Sequence, residues 1–142
     1  MRSAHQIGKI KMNDHLDLKR FIRTVNDFPI KGIKFRDITS LIEHPIAFQR
    51  TCNELTKITK KFDGNIVASI ESRGFIFAGT IARDLGLPFV LARKPGKLPN
   101  ETYKKSFDLE YGSTSIEIQK NTQIKSNDKI VIVDDLVATG GT

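Results

Sequence analysis

KIVIVDDLVATGGT, residues 129–142, decides how the chain is read. Ile130, Val131, Ile132 and Val133 form an unbroken β-branched run without alternation, which predicts a strand covered on both faces within a parallel sheet. The run ends in two carboxylates. Successive strand side chains point to opposite faces, so Asp134 and Asp135 cannot both enter an apolar core. They belong at the strand's carboxyl end, where open α/β sheets hold ligands. Ala138, Thr139, Gly140, Gly141 and Thr142 follow as a small-residue turn whose amides and hydroxyls can approach an anion such as a phosphate. Carboxylates suit sugar hydroxyls or a metal, and amides suit phosphate, so the stretch describes a cradle for a ribose 5-phosphate.

A Gly-Gly pair alone is also an ordinary turn, and many α/β proteins follow a strand with Asp and a glycine-rich bend without binding anything there. The whole run from strand to Thr142 is much more restrictive. No GK[ST] follows the glycines and no GxGxxG is present, which argues against nucleoside triphosphates and dinucleotides.

The 142 residues suffice for one domain with a buried core, and 39% hydrophobic and 27% charged residues are ordinary globular values. No apolar run of membrane-spanning or signal-peptide length occurs, so a cytoplasmic setting is expected. The single Cys52 rules out an internal disulfide. His5, His15 and His44 lack metal-ligand spacing, and no CxxC or HExxH exists, which excludes a structural zinc site. A net charge of +7 fits nucleic acid, an acidic surface or a polyanionic small substrate. Lys57, Lys60 and Lys61 fall where a solvated helix face is expected.

Residues 1–12 read as a poorly ordered basic tail. Asn13 or Asp14 can cap a helix carrying Leu16, Leu18, Phe21, Ile22 and Val25 and ending before Asn26. Residues 27–39, DFPIKGIKFRDIT, are too densely punctuated for a helix and predict a structured loop or short strand. Phe35 between Lys34 and Arg36 can stack a planar base; equally, Phe28, Ile33 and Phe35 can staple the loop to a core. A helix from Pro45 to about Phe62 would bury Phe48, Cys52, Leu55, Ile58 and Phe62, making Cys52 a core residue.

Ile66–Ile70 predicts a second buried strand, followed by Glu71-Ser72-Arg73-Gly74 and a helix stopped at Gly86. Arg73 at that helix start is suited to a pyrophosphate, though Glu71 and Arg73 can also form a surface ion pair. A short strand over 89–92 leads to residues 93–112, a loop long enough to predict a lid, with Arg93, Lys94 and Lys97 able to neutralise an anion. Thr114, Ile116 and Ile118 alternate as its return strand.

FPIKGIKFRDIT, SRGF, RKPGKLP, LEYG and the terminal motif stand in the order found in adenine phosphoribosyltransferases, which these segments resemble from Phe28 to Thr142. Lys31 and Ser40 depart from the family's prolines. The resemblance implies the type I phosphoribosyltransferase fold: an α/β domain with a central, mostly parallel sheet flanked by helices, an N-terminal hood (27–39) and a flexible lid (93–112). It implies transfer of phosphoribosyl from phosphoribosyl pyrophosphate to adenine, giving AMP and pyrophosphate in purine salvage, with magnesium. By the same resemblance Ala138–Thr142 would hold the 5-phosphate, Asp134 and Asp135 the ribose hydroxyls, and Ser72, Arg73, Arg93 and Lys97 the pyrophosphate. Lys34 (through its backbone), Phe35 and Arg36 would frame adenine, Glu110 would act as acid or base, and a cis peptide is expected before Ser72. A homodimer is also implied. The alternatives are a hypoxanthine or guanine transferase, or a regulator of the same fold that binds nucleic acid. The family pattern continues through a helix and a further strand, so a chain truncated at Thr142 is expected, which puts its activity as it stands in question.

Overall fold

The computed structural model describes residues 16–109 and 112–137. The chain divides into two compact units, Met1–Asn53 and Glu54–Thr142.

In the first unit the helix expected over 16–25 is a single 3-10 turn, Leu18–Phe21, capped by Asp17, whose carboxylate accepts the Lys19 N–H at 3.1 Å. The chain then extends as β1 (Arg23–Asn26), antiparallel to β2 (Lys34–Asp37), with Thr24 opposite Arg36 and Val25 opposite Phe35. Ile22, Thr24 and Val25 are β-branched and crowd a helix, and the available ladder with β2 overrides the helical spacing. The intervening loop is closed by Asp27, at φ 57°, whose Oδ1 accepts the Gly32 N–H at 2.7 Å. Gly32, at φ 93°, occupies the left-handed region that glycine tolerates. The Phe28–Pro29 peptide is cis. Asp37 then accepts the Thr39 N–H at 2.8 Å, starting the short helix α1 (Thr39–Glu43).

Helix α2 (Pro45–Lys60) follows the predicted span, and Cys52 is buried. Its inward stripe differs towards the end: Thr59 is buried while Ile58 and Phe62 are exposed. Four residues beyond Leu55 the helical repeat brings round Thr59 in place of Ile58.

The second unit is built on three parallel strands in the order β4–β3–β7, where β3 is Ile66–Ile70, β4 is Phe89–Ala92 and β7 is Ile130–Ile132. Helix α3 (Gly74–Leu85) packs on β3 and β4, with Phe75 edge-on to Phe89 at 5.9 Å. It ends at Gly86, φ 65°, where the Leu87 N–H returns to Ala82 O at 2.9 Å. Beside Ile66, Ala68 and Val90 pack Ile118 and Ile124. Ile118 belongs to β6 (Gly112–Gln119), which pairs antiparallel with β5 (Thr102–Leu109).

The later portion of the expected loop over 93–112 is therefore a strand, β5, in an antiparallel ribbon. Tyr103 pairs with Ile118, Lys104 with Glu117 and Phe107 with Thr114, and these aromatic, β-branched and opposite-charge pairs favour a ladder. The return strand over 114–118 is as predicted. β7 is parallel to β3 as predicted but is not covered on both faces among the described residues: Val133 is buried, whereas Ile132 is 66% exposed. The apolar cover from Ile118 and Ile124 lies over β3 and β4 and does not extend to Ile132.

Because all three strands run in one direction, their carboxyl ends share one edge, which carries Glu71–Arg73 after β3, Arg93 after β4 and Asp134–Asp135 after β7.

Candidate functional site

Val133 continues the β7 ladder through its N–H to Ala68 O at 2.9 Å, and the next two residues turn at the strand end. There the Asp135 N–H donates to Asp134 Oδ1 at 2.8 Å. The Asp135 side chain, 7% exposed, forms an ion pair with Arg73, Nη2 to Oδ2 at 2.9 Å. Burial pushes the Asp135 carboxyl above its ordinary range, the neighbouring Asp134 carboxyl adds to this, and the Arg73 charge opposes it. The acidic pair and Arg73, predicted separately, are thus one charged cluster joining the ends of β7 and β3.

Gly74, the first residue of α3, makes the cluster possible. A Cβ there would lie 2.5 Å from both Asp134 Oδ1 and Ser69 Oγ and 3.0 Å from Asp134 Cα. Ser69 is fully buried, and its hydroxyl has no hydrogen-bond partner among the described residues. Neither residue was singled out from the sequence. A serine inside the apolar run IVASI was the available signal for Ser69; Gly74 reads only as a turn residue.

The peptide between Glu71 and Ser72 is cis, as the family resemblance implied. Ser72 is exposed and its carbonyl accepts the Phe75 N–H at 3.2 Å. Glu71 pairs with Arg93, while Arg73 pairs with Asp135: Arg93 Nη2 donates to Glu71 Oε1 and the Lys94 N–H to Glu71 Oε2, both at 3.1 Å. The Arg93 hydrogen bond, followed by that from Lys94, holds the Glu71 carboxyl below its ordinary range. Lys97 is exposed, and its carbonyl accepts from Arg93 Nη1 at 3.0 Å.

Within the first unit, Phe28 and Phe35 meet edge to face at 5.0 Å, with Phe28 half exposed. Lys34 is exposed, and Arg36 donates to Thr24 Oγ1. The expectations for residues 1–12, Glu110 and Ala138–Thr142 lie outside the described residues.

No group of three or more His, Cys, Asp or Glu side chains able to hold a metal occurs among the described residues. Asp134 and Asp135 bring two carboxylates to this edge, one of them engaged by Arg73, too few to enclose a metal ion with protein groups alone.

The Phosphoribosyl transferase domain family matches residues 43–142. Adenine phosphoribosyltransferase of Butyrivibrio fibrisolvens is 50% identical over 122 residues, covering 86% of this chain and 67% of that protein. The solved adenine phosphoribosyltransferase of Thermoanaerobacter pseudethanolicus superposes with a TM-score of 0.83 at 45% identity, covering 87% of this chain and 72% of the other. That of Giardia lamblia, solved with 9-deazaadenine, gives 0.80 at 42% identity over 88% of this chain and 69% of its own. With this identity, this shared sheet and the acidic strand end in place, the chain belongs to the adenine phosphoribosyltransferase family.

Proposed function

We propose that the chain transfers the 5-phosphoribosyl group of phosphoribosyl pyrophosphate to adenine, giving AMP and pyrophosphate in purine salvage. The observation that carries this reading is the meeting of Arg73 and the Asp134–Asp135 pair at the carboxyl edge of the parallel strands. In the transfer the bond from the anomeric carbon to the pyrophosphate oxygen breaks and a bond to a purine nitrogen forms, with loss of that nitrogen's proton. Positive charge builds on the sugar and negative charge on the leaving group, so positioning and electrostatics supply most of the catalysis.

In this reading Asp134 and Asp135 hold the ribose hydroxyls and Ala138–Thr142 the 5-phosphate. Arg73, Arg93, Lys97 and Ser72 take the pyrophosphate. Substrate then competes for the Arg73–Asp135 pair, the pyrophosphate replacing Asp135 at Arg73 and the ribose replacing Arg73 at Asp135. Lys34 through its backbone, Phe35 and Arg36 frame adenine, and Glu110 exchanges a proton with the purine ring. Asp134 or Asp135 would hold magnesium bound with the diphosphate, which would supply neutralising charge for the leaving group. No described helix is long and apolar enough to cross a membrane. A homodimer in the cytoplasm completes the proposal.

The test supplies phosphoribosyl pyrophosphate and magnesium with adenine, hypoxanthine or guanine in separate reactions. AMP as the dominant nucleotide is expected. IMP or GMP forming at the higher kcat/KM would reassign the base.

A further inference from the structure

The turn after β4 is held from two sides. Lys94–Lys97 is a type II turn, with Pro95 second, Gly96 third at φ 73°, and the Lys97 N–H returning to Lys94 O at 3.3 Å. On one side Arg93 exchanges backbone hydrogen bonds with Glu117 at 2.9 and 2.7 Å, and the Gly96 N–H donates to Glu117 Oε2 at 3.1 Å. On the other, the Glu71 carboxylate spends one oxygen on the Arg93 guanidinium and the other on the Lys94 amide. Arg93 closes the arrangement through Nη1 to Lys97 O. Lys94 and Lys97 remain exposed.

We propose that Glu71 is a positioning residue of the diphosphate site: its two-ended carboxylate seats Arg93 and the 94–97 turn so that their cations are presented together to the leaving group. This rests on the reading above that Arg93 and Lys97 hold the diphosphate. Two effects of opposite sign compete at Glu71. As a mere counter-charge it weakens anion binding at Arg93, and its neutralisation would tighten binding. As a seat it strengthens binding, because Gln offers a single acceptor oxygen and would turn an N–H group towards one of the two donors. Seating prevails because Glu71 fixes both ends of one hydrogen-bonded unit, one end being a charge-assisted bond.

The experiment measures the Kd of inorganic pyrophosphate with magnesium by calorimetry for wild type, Glu71→Gln, Arg93→Ala and the double variant, with KM for both substrates. Glu71→Gln is expected to weaken pyrophosphate about tenfold and to raise the KM for phosphoribosyl pyrophosphate while leaving that for adenine unchanged. The double variant should lose less than the sum of the two single losses, because the Arg93 end of the seat is already gone in Arg93→Ala. Unchanged or tighter binding in Glu71→Gln, with Arg93→Ala impaired, overturns the positioning role and leaves the diphosphate reading standing. An unaffected Arg93→Ala overturns both. Additive losses in the double variant, or a matching rise in the KM for adenine, also overturn positioning. Glu71→Asp, one methylene shorter and unable to reach both donors, gives an independent arm: an intermediate loss supports the seat, and wild-type affinity overturns it.

Discussion

Asp135 is where burial and pairing oppose each other. Its folded carboxyl lies above the ordinary value of 3.8 because burial and Asp134 outweigh the attraction of Arg73. A raised carboxyl contributes stability that is fully present below the unfolded value and is lost as pH rises through the folded one. The melting temperature of wild type minus that of Asp135→Asn should therefore fall as pH climbs from 3.8; a flat difference would mean that burial and Arg73 cancel, and a rising one that Arg73 dominates. Gly74 sets the spacing beneath the pair. Since a methyl there meets Ser69 Oγ, Asp134 Oδ1 and Asp134 Cα, Gly74→Ala should cost about 1–3 kcal/mol by thermal melting and weaken phosphoribosyl pyrophosphate binding. Unchanged binding would separate Asp134 from the ligand. The two aspartates were legible because no core accommodates them after a β-branched run. Ser69 and Gly74 were not, because their role depends on β3 and β7 lying side by side.

Elements that carry their own chemical signal are legible in the sequence, whereas β1 and β5, which form only against a partner strand, are not. β3, β4 and α3 carry their own signals in a short apolar run, a second one after Leu87-Pro88, and a glycine stop. β1 lies within a helical spacing and becomes a strand only because β2 pairs with it, and β5 emerges from an apparent loop only beside β6. The β3–β7 junction shows the same dependence. A Cβ at Gly64 would collide with Val131 Cγ2 and lie 3.1 Å from Lys129 O, so Gly64→Ala should destabilise the sheet by about 1–3 kcal/mol in a denaturant titration. Gly79 is the contrast: inside α3, its added Cβ meets nothing nearer than Phe89 Cε1 at 3.8 Å. Gly79→Ala should stabilise by about 0.5–1 kcal/mol through helix propensity. A loss at Gly79, or none at Gly64, would contradict the packing of these elements.

For the whole molecule, excess positive charge makes its carboxylates matter together. Hydrogen bonds from Thr39 lower Asp37, Lys129 lowers Asp63, Arg93 lowers Glu71, and the Lys125 amide lowers Asp128. A lowered carboxyl contributes stability present above its unfolded value and lost as pH falls through the folded one, so these four work against Asp135. As pH drops past the ordinary values of 4.5 for Glu71 and 3.8 for the aspartates, their contribution disappears. Meanwhile the net charge rises from +7 and the compact state repels itself. With these four losses joined by the growing charge repulsion, the melting temperature should fall as the pH drops below about 4. Repulsion between exposed charges is screened over about 10 Å at 0.1 M salt, so added sodium chloride should restore some of the loss at pH 3 and do little at pH 7. Melting curves at both pH values with and without salt check this. A melting temperature that holds or rises on acidification would mean that the buried Asp135 outweighs the four lowered carboxylates.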